Sequence, residues 1–436
     1  MLKKAFIAVL AVIFALVFTG CDIIDNTKDM VAPPALTGEM SLISDALHKS
    51  VGETCNLKYP SSGDRRSAIV LEDINGDGIF EAFAFYSTSD DEMTTMHINV
   101  ICQQNGEWTS VSDQTVVAIG VEMVDFCDLD NDGLEEILIG WEVNGNNEKK
   151  LSVFNFNENK LGQQLLQTYS SFLCCDLDNN GTNEIFVHLL NTAEKENKAM
   201  VYSYDDQKMA QTAGCLMDGS VKSAEAPVLS TLSNGQKAIY INETKGVGAV
   251  TEVLYMSKGE LINPLLDTVN SFENVLTLRA AALKLQDINS DGILEIPVAT
   301  DLPNATDSDE KLYYTNWCSF NGEKLSVKLV TVVNTVDGYY LTVPNSMVGY
   351  LAVRKDIENH VREFYHYDSH NDILGKLLFT VTAIDADEWA SKDYDHGNKV
   401  ELARTESVIF VAELGDGASA FAIDIDVIKD TFYLVN

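Results

Sequence analysis

Pairs of short apolar runs, each interrupted by a turn rich in Asp, Asn and Gly, recur along most of the chain. The clearest pairs are 67–71 with 82–86, 121–127 with 137–141, 172–175 with 185–189, and 281–285 with 296–299. Continuous apolar runs of this length predict strands that are buried on both faces. Two weaker runs of alternating polarity follow, as at 95–102 and 108–112. The pattern predicts a repeating unit of four antiparallel strands.

The turn inside each pair carries a carboxylate or amide side chain at its first, third and fifth places, glycine at its sixth and glutamate at its ninth. The second copy reads Asp128-Leu-Asp-Asn-Asp-Gly-Leu-Glu-Glu136. Alternating oxygen-bearing side chains in a tight turn converge on one point, and hard cations prefer oxygen ligands. An EF-hand is excluded because it needs flanking helices and a further acid at position 139, where the chain has isoleucine.

The sequence therefore predicts four calcium loops, with about four structural ions per chain. The predicted metal positions are the first, third, fifth, seventh and ninth places of each loop: Asp73, Asn75, Asp77, Ile79, Glu81, Asp128, Asp130, Asp132, Leu134, Glu136, Asp176, Asp178, Asn180, Thr182, Glu184, Asp287, Asn289, Asp291, Ile293 and Glu295.

The spacing of the loops predicts a further repeat that has lost its ligands. The first aspartates of the loops are 55, 48 and 111 residues apart, so the last interval is two steps long. Residues 229–240 fill that interval, with Gly235 where the loop glycine is expected but without the acidic residues. We predict a degenerate copy there.

A repeated four-stranded unit with apolar inner strands is typical of a β-propeller blade. Residues 50–436 span about seven such periods. The predicted fold is all-β, a propeller of seven blades, with six as the alternative. Runs 338–343 with 348–353 are predicted as the sixth strand pair and 399–403 with 407–414 as the seventh. Residues 420–435 and those near Leu57 are predicted to complete or cover the closing blade.

The loops, placed between strands and repeated in this way, resemble the FG-GAP or VCBS repeats of integrin-like propellers and many bacterial surface proteins. Those families usually have Asp at the ninth place, where this chain has Glu. Residues 57–60, followed by the first loop, are also similar to clostridial lipoproteins with VCBS-type repeats. The resemblance implies calcium at the loops and a protein that binds rather than reacts.

The N-terminus is predicted to be an export signal. Lys3 and Lys4 precede an apolar run over 5–18 that ends in Phe18-Thr-Gly-Cys21, which resembles a bacterial lipobox. We predict a signal peptide over 1–20 and lipidation at Cys21, with plain secretion as the alternative. Residues 21–40 are predicted to be a tether and 41–436 the propeller.

The propeller is predicted to begin with a short amphipathic helix over 41–48. Leu42, Ile43, Ala46 and Leu47 would form its apolar face, with His48 in solvent.

Charge and cysteine content narrow the functional classes. The chain has 30 Lys and Arg against 66 Asp and Glu, a net charge of −36, which would repel nucleic-acid phosphates and so excludes nucleic acid as a partner. Without Cys21, seven cysteines remain, an odd number at irregular spacing, and no zinc-type pair occurs. We predict buried free thiols at Cys55, Cys102, Cys127, Cys174, Cys175, Cys215 and Cys318.

No catalytic motif supports an enzyme. The chain lacks a Gly-x-Ser-x-Gly elbow, a phosphate loop and a dinucleotide fingerprint, and His366 and His370 are predicted to be solvated in a turn. The favoured hypothesis is a monomeric, membrane-anchored, extracytoplasmic module for binding or adhesion to a carbohydrate or a protein. A propeller-based carbohydrate-active enzyme, either a polysaccharide lyase or a hydrolase, and an envelope scaffold without an external ligand are the alternatives.

Overall fold

The chain is all-β, as predicted. The computed structural model describes residues 38–52, 54–88, 94–143, 148–205, 208–280, 283–305 and 311–435, so the predicted signal peptide, Cys21 and most of the tether lie outside the described residues. The chain divides into two compact units, of which the second includes residues 60–66 and 74–76 besides everything from Ala118 onward. No helix within the described ranges is long and apolar enough to cross a membrane.

The described part of the first unit consists of helix α1 (Gly38–Val51) and sheet A. Sheet A consists of β1 (Cys55–Leu57), β2 (Ile69–Glu72), β3 (Glu81–Thr88), β4 (Thr95–Gln104) and β5 (Glu107–Val117). Strands β2 to β5 form the predicted antiparallel meander, and β1 also pairs with β3.

Helix α1 packs its apolar face on sheet A. Ile43, Ala46 and Leu47 are buried together with residues of β2 and β3, because positions three and four apart lie on one face of a helix. Leu42 was predicted for the same face, but its side chain is 58% exposed. His48 is half-buried and its Nδ1 lies 2.8 Å from the carbonyl oxygen of Ser44.

The second unit begins with two four-stranded antiparallel meanders that match the predicted repeat. Sheet B consists of β6 (Gly120–Cys127), β7 (Glu136–Glu142), β8 (Lys149–Asn157) and β9 (Lys160–Tyr169). Sheet C consists of β10 (Ser171–Cys175), β11 (Glu184–Asn191), β12 (Glu196–Asp205) and β13 (Lys208–Leu216).

Sheet D contains the degenerate repeat and several short additions. Its strands are β14 (Ser223–Ala224), β15 (Val228–Thr231), β16 (Lys237–Lys245), β17 (Gly248–Ser257), β18 (Glu260–Ile262) and β19 (Arg279–Ala280). Strands β15 to β18 follow the same meander as the other repeats. A long connection from 263 to 278 separates β18 from β19.

Two five-stranded sheets complete the second unit. Sheet E consists of β20 (Ile296–Leu302), β21 (Leu312–Phe320), β22 (Leu325–Asn334), β23 (Tyr339–Thr342) and β29 (Phe432–Leu434). Sheet F consists of β24 (Leu351–Asp356), β25 (Val361–Asp368), β26 (Ile373–Asp385), β27 (Val400–Arg404) and β28 (Val408–Leu414). Short helices α2 (Ala386–Ala390) and α3 (Ile425–Thr431) and a 3₁₀ turn (Ala418–Phe421) lie between strands.

The described residues form six sheets, and the predicted sixth and seventh strand pairs are not separate units. Strand β23 lies in sheet E and β24 in sheet F, so the predicted pairing of 338–343 with 348–353 is wrong. Between them, successive backbone turns at Met347 and Tyr350 carry the chain from one sheet to the next. Strands β27 and β28 do pair, but as part of sheet F.

Two further strand predictions were wrong. Strand β29 joins β23 of sheet E and β1 joins sheet A, so the two terminal segments lie in different sheets and do not complete one blade. Of the run 281–285, the described residues 283–285 form no strand, and the loop that follows is closed by a single bridge between Gln286 and Glu295.

Successive sheets of the second unit share apolar cores. Leu151 of sheet B packs in one cluster with Ile185 of sheet C, and Phe186 on the other face of sheet C packs with Ile239 of sheet D. Similar clusters join sheet D to sheet E and sheet E to sheet F. Inner strands that are buried on both faces explain why the paired runs are continuously apolar.

Candidate metal centre

The four predicted loops have the same length. Residues 73–80, 128–135 and 176–183 each join the first two meander strands of their sheets, and 287–294 lie between the bridged residues Gln286 and Glu295. The sixth-place glycines have φ between +83° and +91°, a region that favours glycine. Gly235 of the degenerate repeat has a φ of +88°, which confirms its predicted equivalence.

The first aspartate of each loop organises the backbone. One carboxylate oxygen accepts a hydrogen bond from the sixth-place N–H, at 2.9 Å for Asp73, 3.1 Å for Asp128, 3.2 Å for Asp176 and 2.8 Å for Asp287. The fifth-place side chain accepts one from the seventh-place N–H in all four loops. These bonds curl the loop so that its side-chain oxygens point inward.

The ninth-place glutamate is buried and holds the start of the loop. Glu136 Oε2 accepts a hydrogen bond from the N–H of Leu129 at 2.9 Å, and Glu184 Oε2 accepts one from Leu177 at 2.8 Å. The same bond in the last loop, from Ile288 to Glu295, is 3.1 Å long. The glutamate thus spans the loop from its ninth place to its second.

Two consecutive loops bring three carboxylates together. Asp128, Asp130 and Glu136 each place an oxygen within 4.8 Å of the others, and Asp176, Asp178 and Glu184 do the same. Hard oxygen donors at this separation fit a calcium ion. The fifth-place residues Asp132 and Asn180, predicted as ligands, lie outside these triads and cap the seventh-place N–H groups of Leu134 and Thr182.

The electrostatics of these loops favour a bound cation. Burial raises the pKa of Glu136 to about 7, against the hydrogen bond from Leu129, and the charges of Asp130, Asp132 and Asp128 raise it further. Burial and neighbouring acids also raise the pKa of Glu184. A cation among these oxygens would relieve the repulsion that raises both values.

The loop at 287–295 is built differently at its third place. Asn289 Nδ2 donates to Asp291 Oδ2 at 3.0 Å and to Glu295 Oε1 at 3.5 Å. Burial raises the pKa of Glu295 to about 7, and Asp291 and Asp287 add to the effect. The amide of Asn289 therefore donates hydrogen bonds to two acids of this loop and stabilises part of their negative charge.

In the first loop, Asp73 accepts hydrogen bonds from the N–H groups of Asp77 and Gly78, at 3.1 and 2.9 Å. Ile79 donates its N–H to Asp77 Oδ1, and the side chain of Glu81 is buried. Asn75 groups with the second unit. The part of this loop within the first unit thus repeats the backbone pattern of the others.

Neighbouring repeats contact each other through the eighth place. Asn183 of the third loop donates to the carbonyl oxygen of Asp128 in the second loop, at 3.0 Å. Lys237, at the corresponding place of the degenerate repeat, donates to the carbonyl oxygen of Asp176 at 2.7 Å and to its Oδ2 at 3.1 Å. Burial alone would raise the pKa of Asp176, but Lys237 and the backbone N–H groups of Gly181 and Asn180 together outweigh burial, and the pKa is lowered.

A disulfide joins the two strands that lead into the loops at 128–136 and 176–184. Cys127 directly precedes Asp128, and Cys174 lies two residues before Asp176; the two are bonded to each other. The prediction of buried free thiols was therefore wrong at these positions and is confirmed at Cys102, Cys175 and Cys318, whereas Cys55 and Cys215 are free but only half-buried. The near-equivalent positions of Cys127 and Cys174 in adjacent repeats were the sequence signal for the pair.

The degenerate repeat has a shorter turn in place of the loop. The N–H of Leu232 donates to the carbonyl oxygen of Gln236, and Asn234 Oδ1 accepts from the N–H of Gln236, which closes a turn over 232–236. No first-place acid is present to organise eight residues. The predicted loss of the ion site agrees with this geometry.

The histidine pair forms no metal site among the described residues. His366 lies on β25, not in the predicted turn, and stacks on Phe421 with ring centroids 4.3 Å apart. His370 is exposed in the turn that follows, as predicted.

No protein-family model matches this sequence, and no curated protein shows significant sequence similarity to it. Among solved structures, the chain is similar to a periplasmic gluconolactonase of Pseudomonas aeruginosa, with 13% identity, a TM-score of 0.29, and coverage of 74% of this chain and 88% of that one. It is also similar to a rhamnogalacturonan lyase of Bacillus licheniformis, with 9% identity, a TM-score of 0.30, and coverage of 81% and 90%. An exotype rhamnogalacturonan lyase has 9% identity, a TM-score of 0.30, and coverage of 74% and 84%.

Proposed function

We propose that this protein is a calcium-binding repeat protein of the FG-GAP or VCBS type, a β-propeller held at the bacterial surface by a lipid on Cys21, that binds a carbohydrate or a surface protein. The observation that carries the proposal is the convergence of three carboxylates in each of two consecutive loops, at Asp128 and at Asp176. The same turn is repeated in two further loops with the same backbone hydrogen bonds.

The ions would be structural. Each loop supplies several oxygens from one short segment, which leaves little open coordination for a substrate, and the loops join strands of the sheets. Calcium would neutralise the acids and clamp the strand-to-strand turn. Binding to the folded state alone stabilises a protein by RT ln(1 + [L]/Kd), about 1.4 kcal/mol per site at ten times Kd.

Calorimetric titration of the metal-free chain tests the calcium sites. We expect about four calcium ions per chain, one for each loop, and a lower melting temperature after chelation. Glu136→Gln keeps the acceptor for Leu129 but removes a charge, so it should weaken one site. Glu158→Gln, in an exposed hairpin of sheet B, is the matched control. A stoichiometry near zero and an unchanged melting curve would refute the calcium assignment.

Anchoring is tested separately with Cys21→Ala. Two or more acyl chains are needed for stable attachment, so the variant should be released from the membrane fraction while the parent is retained. Retention of the variant would refute lipidation at Cys21.

The binding role can be tested at a cleft of about 910 Å³ in the second unit. It is lined by residues 192, 194–197, 216–217, 219–222 and 271–273, and the side chain of Phe272 in this lining is exposed. An exposed ring beside polar side chains suits a ligand with both apolar and polar faces. On a glycan array, the chain should bind without turnover, and Phe272→Ala should lose that binding. Turnover of a glycan would support the alternative of a carbohydrate-active enzyme. Absence of binding both on the array and in pull-down experiments would support the alternative of an envelope scaffold.

A further inference from the structure

A buried polar network lies between sheets C and D, away from the calcium loops. Its acids are Asp218, Glu243 and Glu252, each no more than 1% exposed. Asp218 is fully hydrogen-bonded: Oδ1 accepts from the N–H and hydroxyl of Ser220, and Oδ2 accepts from Lys245 at 2.7 Å and from the N–H of Asn274 at 2.9 Å. An ionised Asp218 paired with Lys245 satisfies this part of the network.

The two glutamates are satisfied on one side only. Glu243 Oε1 accepts from Asn197 Nδ2 at 2.7 Å, and Glu252 Oε1 accepts from the N–H of Asp218 at 3.1 Å. Oε2 of each has no hydrogen-bond partner, although both side chains are buried. The side-chain amide oxygen Oδ1 of Asn263, which lies beside Glu252, also lacks a donor. Three buried oxygen atoms of the network therefore lack a hydrogen-bond donor.

No cation of the network pairs with the glutamates. Lys245 is shared by Asp218 and Glu273. His188 Nε2 lies 2.7 Å from Asn197 Oδ1, and burial lowers the pKa of this histidine, so it donates as a neutral ring.

Neither Arg279 nor Cys215 neutralises the two glutamates. The guanidinium of Arg279 donates to Thr277, Leu283 and Asn242. The thiol of Cys215 stays protonated, because burial raises its pKa to about 12. The charge of Lys245 acts on Glu243, but Lys245 already pairs with Asp218 and Glu273, and His188, 3.7 Å from Glu243 Oε1, is neutral. Two ionised glutamates here would therefore be buried negative charge in excess of the positive charge nearby, which folded proteins avoid by taking up protons.

We propose that Glu243 and Glu252 form a buried proton-binding pair that remains protonated in the folded chain at pH values where exposed glutamates are ionised. A proton on Glu252 supplies the donor that Asn263 lacks. Burial raises the pKa of both glutamates, and the charge of Glu252 raises that of Glu243 further. The pair makes the packing of sheet C on sheet D sensitive to pH, independently of calcium.

The sign of the effect follows from proton linkage. Both folded-state pKa values lie above the ordinary value of about 4.3, so the folded chain keeps protons that the unfolded chain releases. The free energy of unfolding therefore falls as the pH rises from about 4.3 to the pH at which the folded pair ionises. Stability from this pair is fully present at acid pH and is lost towards alkaline pH.

Thermal melts of the full chain from pH 5 to 8.5 test the pair, with saturating calcium throughout so that the loop glutamates do not titrate. Glu252→Gln and Glu243→Gln replace the proton by an amide, so each should melt about 2–4 °C above the parent at pH 8.5, with the difference shrinking towards pH 5. Glu260→Gln, an exposed site on β18, should show no such trend.

A direct measurement does not depend on the variants folding. Folding of the parent near pH 6.5 should take up protons, seen as an unfolding enthalpy that changes with the ionisation enthalpy of the buffer. Absence of proton uptake, or a difference between variant and parent that is constant over the pH range, would overturn the proposal. A parent that melts higher with added sodium or a divalent ion at alkaline pH, and loses that gain in both variants, would assign the pair to a cation and also overturn it.

Discussion

The loops at 128–136 and 176–184 both differ from the loop at 287–295 at the third place, where they have aspartate and the last loop has asparagine. All three have the same length, the same first-place aspartate and the same bond from the ninth-place glutamate to the start of the loop. In the first two, the third place is aspartate and three carboxylates converge. In the last, the amide of Asn289 donates to the acids around it. The residue at the third place thus accompanies the difference between a loop with three converging carboxylates and a loop in which an amide donates to the acids.

The largest effect on stability is expected from the disulfide. It joins the strands before the loops at 128–136 and 176–184, and it has no counterpart at 287–295 among the described residues. The double variant Cys127→Ala/Cys174→Ala opens a covalent loop with a sequence separation of 47 residues. On the chain-entropy model this costs about 4 kcal/mol. Urea unfolding under non-reducing conditions measures it. Cys215→Ala, a free thiol in sheet C, is the control, and equal stability of the double variant and the parent would contradict the link.

Exchange of the third-place residues should reverse the difference between the loops. Asp130→Asn removes one of three converging charges, so calcium affinity should fall about tenfold at the loop 128–136. Asn289→Asp adds a charge to the loop 287–295, so calcium affinity should rise about tenfold there. Site-resolved calcium titration by nuclear magnetic resonance measures both. Asn157→Asp adds the same charge at an exposed strand end as a control. Unchanged affinity in both loops would show that the third place does not set the charge at the ion.

The smallest effect is expected from Lys237, which distinguishes the third loop from the second. Its ammonium lies 3.1 Å from Asp176 Oδ2, whereas the second loop receives only the neutral amide of Asn183. Lys237→Met should raise calcium affinity at the third loop about threefold, because a partly exposed charge acts through solvent. Lys208→Met, exposed in sheet C, controls for net charge. A lower affinity in Lys237→Met would mean that its bond to the backbone matters more than its charge.

Local pattern was sufficient for the loops and for most strand pairs. The turn residues and the apolar runs beside them act within one hairpin, so their geometry follows from neighbours in sequence. The error at 338–353 has the opposite cause. An apolar run looks the same whether the next connection is a hairpin or a crossing to another sheet, and the turns after Pro344 make the crossing.

Long-range partners explain what the sequence did not reveal in the site. Cys127 and Cys174 are 47 residues apart, and Lys237 and Asp176 are 61 apart. Their contacts depend on how adjacent sheets stack, which periodicity does not specify. The buried pair of Glu243 and Glu252 was hidden for the same reason, since nothing in the sequence of these two largely buried strands shows which charged side chains are enclosed.

The eighth-place contacts limit how this gene can change by gain or loss of repeats. The carbonyl oxygen of Asp128 accepts a hydrogen bond from Asn183, and that of Asp176 accepts one from Lys237. Each of these two loops is therefore hydrogen-bonded by a side chain of the repeat that follows. A recombination that joins two repeats must therefore deliver a donor at the eighth place of the incoming copy. Lys237 belongs to a repeat without the loop acids, and it still supplies this donor to the repeat before it.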